Sequence, residues 1–186
     1  MGSRDDNKLE NLLWVDLEMT GLDESKDQII EVACLVTDKD LNVIAEGPEL
    51  VINAPDSLLN SMDEWCTRTH TESGLVARVR ASKISVEEAD TLVYEFIRQH
   101  TVPKMTVMAG NSIHADKRFI DKSFKKVAAH LHYRLVDVST IKELVKRWYP
   151  DQFSRQKNKE WKHRALADIK ESIEELKFYR EQVFIK

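Results

Sequence analysis

The sequence predicts an α/β domain built on a mixed five-stranded sheet flanked by helices. Three observations lead there. Three runs of β-type residues stand close together in the first 52 positions, and from position 86 onward helical periods alternate with short strand-like runs, the order of a mixed sheet covered by helices. A length of 186 residues with 42% hydrophobic side chains suits a single domain with a sizeable core.

The elements follow in order. "LLWVDLE" reads as a first strand, and "QIIEVACLVTD" (28–38) and "NVIAEGPELVI" (42–52) as two more, joined through the hairpin-like turn "DKDLN". "VEEADTLVYEFIRQH" (86–100) has apolar residues at helical spacing, and Ser85 with Glu88 forms a capping box. "MTVMAG" is a fourth strand, "DKRFIDKSFKKVAAHL" one helix, and "YRLVDV" a fifth strand. "TIKELVKRWY" is a helix, with Thr140 and Glu143 as its capping box and Pro150 at its end. "RALADIKESIEELKFYREQV" is a long C-terminal helix. The polar stretch 150–163 is long for a connection, and such loops often carry function. Residues 1–10 read as a disordered tail or cloning remnant, and 11–186 as one domain.

Composition narrows the function. There are 28 basic and 32 acidic side chains, a formal charge of -4, which argues against binding a long nucleic acid tract by many phosphate contacts. A short anionic substrate remains compatible. Cys34 sits in an apolar run and reads as a buried thiol, pointing to a reducing, intracellular compartment. No apolar run reaches the ~18 residues needed to span a bilayer, so no membrane is expected as a partner. The location is cytoplasmic, or mitochondrial if a transit segment has been removed.

The informative stretch is "LLWVDLEMTGLD". Asp16 and Glu18 stand two apart in a strand, so they share a face. Adjacent carboxylates repel unless a cation or a shared proton offsets them, and Mg²⁺ takes hard oxygen ligands of this kind. Asp116 follows the fourth strand, and Asp168 lies early in the last helix, five residues after His163. Alone, Asp116 reads equally as a helix N-cap, Asp168 as a solvated helix residue and His163 as a surface histidine. Five helical residues advance about 500°, leaving His163 and Asp168 about 140° apart, which places His163 in a mobile loop ahead of the helix.

Taken in order, Asp-x-Glu, Asp and His-x-x-x-x-Asp carry a specific resemblance, extended by "WVDLEMTGLD", "LVTDKDLNVIAEGP", "MAGNSIHADKRF", "HYRLVDVSTIKEL" and "HRALADI". The chain resembles the DEDDh branch of 3'-to-5' exonucleases, with their RNase H-like fold, and within it the oligoribonucleases. The resemblance implies two Mg²⁺ or Mn²⁺ ions per active site, held by Asp16, Glu18, Asp116 and Asp168, with His163 as general base. It implies hydrolysis of dinucleotides and other very short RNA oligonucleotides to 5'-mononucleotides. Leu22 and Trp65 would lie against the terminal bases, His70 on the substrate backbone, and Ser112, Arg134 and Ser139 would cap the 5'-phosphate. It further implies a homodimer with Tyr133 reaching the partner's pocket. Each assignment has a plainer alternative: Leu22 packed in its turn, Trp65 on a rim, Arg134 in a structural ion pair, Ser139 starting a helix, Tyr133 packed within its own chain. The apolar Leu176, Phe178 and Tyr179 of the last helix, set among charges, add an expectation of a buried partner surface. One departure stands out: family members commonly read "HRALDDI", and this chain has Ala167 at the first Asp. Two other functions compete, a proofreading-type exonuclease on longer single strands and a catalytically dead binding module.

Overall fold

The computed structural model describes residues 8–156 and 164–184. In chain order these form β1 (Leu12–Met19), β2 (Ile29–Thr37), β3 (Val43–Val51), α1 (Asp56–Leu59), α2 (Glu64–Glu72), α3 (Leu75–Ala81) and α4 (Val86–His100). Then follow β4 (Thr106–Gly110), α5 (His114–Ser123), α6 (Lys125–His130), β5 (Leu131–Asp137), α7 (Val138–Trp148), α8 (Pro150–Phe153) and α9 (Ala165–Val183). The sheet is mixed and five-stranded, in the order β3-β2-β1-β4-β5. β1–β2 and β2–β3 are antiparallel, while β1–β4 and β4–β5 are parallel.

β1 is central because it is apolar on both faces. Leu13, Val15 and Leu17 pack with Val93 and Ile97 of α4, Phe119 and Ile120 of α5 and Val127 of α6. Trp14 packs on the opposite face with Val138 and Val145 of α7 and Ala165, Ile169, Ile173 and Tyr179 of α9. Its indole Nε1 donates to Thr37 Oγ1 at 3.0 Å, so the buried ring carries no unmet donor. By strand alternation Asp16 and Glu18 share the Trp14 face, toward α9. The β1–β2 register slips between Glu18 and Met19, where β2 inserts Ile30 as a bulge. Ile30 thereby joins Leu59, Leu75 and Val79 in a third apolar cluster, which anchors α1 and α3 over the end of the sheet. The turn 38–42 closes as expected: the Asp38 carboxylate accepts from Asp40 N and Asn42 N, and Leu41 takes a left-handed φ of 67°.

Four expectations are corrected. The helix expected over 116–131 is two, parted at Phe124, whose φ of -104° and ψ of 75° leave the helical region so that its buried ring can enter the core. The helix expected from Thr140 starts at Val138 instead, because Asp137 caps it by accepting from Ser139 N at 2.9 Å. β5 starts at Leu131, two residues before the strand expected from Tyr133, and so takes in His132 as well. Tyr179 is fully buried and Leu176 and Phe178 are partly buried against the Trp14 cluster, so they do not supply an unpartnered apolar surface. Residues 53–84, for which no element is predicted, hold α1–α3. Of these α2, "EWCTRTHTE", lacks an apolar stripe and depends on the cap that Asp63 offers Cys66 N at 2.7 Å.

Asp90 of α4 illustrates how the segments are tied. It is buried, and its two oxygens accept from Lys126 N and Val127 N at 2.9 and 3.0 Å, capping α6 from another helix. Asp90→Ala leaves both amides unmet and should lower unfolding free energy by about 1–3 kcal/mol, read by urea titration.

Candidate active site

Three elements converge on the end of β1. The strand presents Asp16 and Glu18 on one face, and the first turn of α9 lies across that face with Asp168. One carboxylate oxygen from each of Asp16, Glu18 and Asp168 lies within 4.8 Å of the others. Asp116, in the first turn of α5, comes from the other side of the strand end. It is not the N-cap of α5, which Ile113 precedes. Its Oδ1 accepts from Leu17 N at 3.0 Å, which ties it to the backbone between the two β1 acids.

The electrostatics match the crowding. Burial, with the charges of Asp116, Glu18 and Asp168, pushes Asp16 well above the ordinary carboxylate range. Burial and then Glu31, Asp168 and Asp116 push Glu18 up to about 7. Burial holds Asp116 up at about 7, although the Leu17 amide opposes the shift. The groups are therefore mutually destabilising when ionised, and all their donors are hard oxygens. Oxygens around one small divalent ion at ~2.1 Å lie about 3–4.2 Å apart, so the trio fits such an ion. Ala167 is half-buried beside Asp168.

His70 of α2 is buried beneath this group. Its Nε2 donates to Met19 O at 2.9 Å, and Nδ1 lies 3.9 Å from Glu18 Oε2. The ring thus supports the strand end and Glu18. His163 and residues 157–162 of the expected loop lie outside the described residues, whereas the start of that stretch, Pro150–Phe153, is the short helix α8 rather than loop. Sequence reasoning missed Glu31, a buried acid directly across from Glu18 in the β1–β2 ladder. An acid inside "QIIEVACLV" was the available signal.

The expected substrate end is assembled in part. Leu22 and Trp65 are 67% and 53% exposed, so neither is spent on the core. Leu22 stands in a turn built on Asp27, which accepts from Thr20 Oγ1 and Asp23 N at 3.0 and 2.9 Å. A Cβ at Gly21 would come within 2.4 Å of Asp27 Oδ2, so the turn requires glycine for space. Ser112 and Ser139 are brought together, with Oγ atoms 3.2 Å apart. Ser112 takes a φ of 50°, and its amide donates to Asp137 Oδ1 and Ser139 Oγ, both at 3.0 Å. Asn111, which the sequence reading passed over, accepts from Ser139 Oγ at 3.0 Å and donates to Ser172 of α9 at 2.7 Å. Arg134 lies over its neighbour Tyr133, 5.5 Å from the ring centroid. Tyr133 is 77% exposed and stacks on His132 at 4.4 Å, so it is not packed within its own chain.

Sheet order and carboxylate cluster together define an exonuclease domain. A protein-family model described as Exonuclease matches residues 13–176. Solved structures of exonuclease I share the fold: one matches with a TM-score of 0.71 at 16% identity, covering 94% of this chain and 41% of that one. The chain thus spans about two-fifths of those structures. Much nearer in sequence are "Oligoribonuclease, mitochondrial" of Homo sapiens, 53% identical over 177 residues, covering 95% of this chain and 75% of that protein, and "Oligoribonuclease" of Vibrio cholerae, 52% identical over 175 residues, covering 94% and 96%. "Probable oligoribonuclease" of Dictyostelium discoideum is 54% identical over 175 residues, covering 94% and 91%. The chain belongs to the oligoribonuclease family, and it is a nuclease, a hydrolase.

The charge crowding has a pH signature. In the unfolded chain the carboxylates ionise near pH 4. Folded, Glu18 and Asp116 hold their protons up to about 7. Between those values the folded state binds more protons, so the cluster's contribution to stability falls as pH rises from about 4 to about 7. Asp16→Asn removes one of the facing charges. In chelator, its stability relative to wild type should therefore be greater at pH 7.5 than at pH 4.5 in urea titrations. A pH-independent difference would contradict the crowding.

Proposed function

We propose that this chain is a 3'-to-5' exoribonuclease that hydrolyses dinucleotides and other very short RNA to 5'-mononucleotides by a two-metal-ion mechanism. The observation that carries it is the meeting of Asp16, Glu18 and Asp168 within 4.8 Å beside Asp116, in a member of the oligoribonuclease family. Asp16, Glu18, Asp116 and Asp168 would hold two Mg²⁺ or Mn²⁺ ions. When bound, such ions activate water and neutralise charge on the leaving 3'-oxygen. His163 takes the proton of the attacking water, a task suited to an imidazole of ordinary pKa ~6.5. His70, which the resemblance sets on the substrate backbone, is instead buried with Nε2 bonded to Met19 O, so it supports Glu18 rather than touching substrate.

Exposed Leu22 and Trp65 are available to the terminal bases, and stacking at ~1–3 kcal/mol per base tolerates any sequence. The Ser112–Ser139 pair, with Arg134, caps the 5'-phosphate and leaves a longer strand no room to continue. All four proposed metal ligands are present, which favours an enzyme over a binding module despite Ala167. The free cysteines Cys34 and Cys66 fit a reducing compartment, cytoplasmic or mitochondrial. Among the described residues no helix is long and apolar enough to cross a membrane.

The test offers 5'-labelled RNAs of two to ten nucleotides with Mg²⁺ and compares initial rates. The dinucleotide should be cleaved fastest. A rate rising with length would favour the exonuclease of longer strands, and no cleavage the binding module. Arg134→Ala should weaken 5'-phosphorylated dinucleotide by the ~1.5–3 kcal/mol of a charge-assisted contact and a heptamer by less. Equal losses would remove the cap.

The proposed assembly is a homodimer in which Tyr133 completes the partner's pocket. Its support is an exposed aromatic on β5, an edge strand of the sheet. Tyr133→Ala should stay dimeric and lose dinucleotide cleavage. Mixed with Asp116→Asn it should recover part of the rate, because one pocket of the heterodimer has both intact carboxylates and an intact partner tyrosine. No recovery after confirmed subunit exchange would refute the arrangement.

A further inference from the structure

A fifth carboxylate borders the cluster without belonging to it. Glu31 is the register partner of Glu18 across the antiparallel β1–β2 ladder, which places the two Cβ atoms about 5 Å apart. It is 0% exposed. One oxygen accepts from Arg78 Nη1 of α3 at 2.7 Å. The other, Oε2, has no hydrogen-bond partner, and neither has Nη2 of Arg78, although both atoms are buried. Glu31 is outside the trio of oxygens that lie within 4.8 Å of one another.

Packing does not account for this acid. Every other residue of β2 is apolar or, at Thr37, hydroxylic, and every one is buried. An apolar or amide side chain of similar size would fill the position without repelling Glu18. A buried acid facing another acid is unfavourable in the metal-free protein and becomes favourable when cations enter. Arg78 is two-thirds buried, reaches the pair from outside the sheet and offsets part of the charge.

We propose that Glu31 and Arg78 are positioning residues that set the cation affinity of the site from outside its ligand set, Glu31 raising it and Arg78 lowering it. This rests on the metal-centre reading above. The pair also joins α3, and with it the helical segment that carries Trp65 and His70, to β2, the ladder partner of the strand that carries Asp16 and Glu18. Charge therefore acts at this position in a way that shape alone does not.

The test is Mn²⁺ binding to the full chain, stripped with chelator, by calorimetry. Glu31→Gln should weaken Mn²⁺ about tenfold, within the range of lost outer-shell partners. Arg78→Met should tighten it by a few-fold, and the double variant should return to within about threefold of wild type. Opposite signs are the signature, because a merely structural pair would lower the melting temperature in both single variants and leave Mn²⁺ affinity unchanged. That unchanged affinity, in variants with a native circular dichroism spectrum, would overturn the inference. Should Arg78→Met not fold, Glu31→Asp against Glu31→Gln decides: Asp keeps the charge and should keep the affinity, and equal losses in both would overturn the inference. Wild type that takes up no Mn²⁺ at all would overturn the metal-centre reading and this one with it, an outcome distinct from normal uptake with unchanged variants.

Discussion

Asp16 and Glu18 stand on one face of a buried central strand, and the repulsion between them is the constraint around which the rest is arranged. Neither acid can ionise cheaply there, since burial and neighbouring carboxylates both favour the protonated forms. Moving them to solvent would require giving up β1 as the centre of the sheet, and with it the packing of Leu13, Val15 and Leu17 on one face and Trp14 on the other. The fold brings Asp168 to the same face and Asp116 to the strand's end, which deepens the conflict. Only a group that rewards several carboxylates at once makes that arrangement favourable, and a divalent cation is such a group.

Rigidity around the cluster comes from buried polar chains rather than from apolar contact alone. Asn111 joins the end of β4 to Ser139 on α7 and to Ser172 and Glu175 on α9. Glu175 is itself buried, accepts from Tyr179 at 2.9 Å and lies 3.3 Å from Lys142 of α7. Asp137 caps α7 and also accepts from Ser112 N. The serine pair and the helix that carries Asp168 thus share one hydrogen-bonded frame. Each buried member is satisfied by another, so removing any one leaves a desolvated partner behind.

Much of this was legible because it is periodic or local. The alternation in "LLWVDLE" put Asp16 and Glu18 on one face, and the Ser85 cap was visible as a residue type at a fixed offset, accepting from Glu88 N at 3.1 Å. The order of acids along the chain identified the family. Less legible were the short helices α1–α3 and the start of α7. α2 lacks an apolar stripe, and Asp137, which ends a strand and caps the next helix at once, carries no signal separating it from Thr140.

The sequence by itself determined most strand and helix types, the sharing of one strand face by Asp16 and Glu18, and the family, because these depend on side-chain chemistry at short, regular spacing. Tertiary structure alone decided which distant groups meet. It placed Asp168 within reach of Asp16 across about 150 residues of chain, tied Asp116 to the Leu17 amide, set Ser112 against Ser139, buried Tyr179 and left Tyr133 exposed. It also turned Glu31, one acid in an apolar run, into the neighbour of Glu18. Register across a ladder and the landing point of a helix are set by the packing of the whole sheet, and no window of sequence contains them.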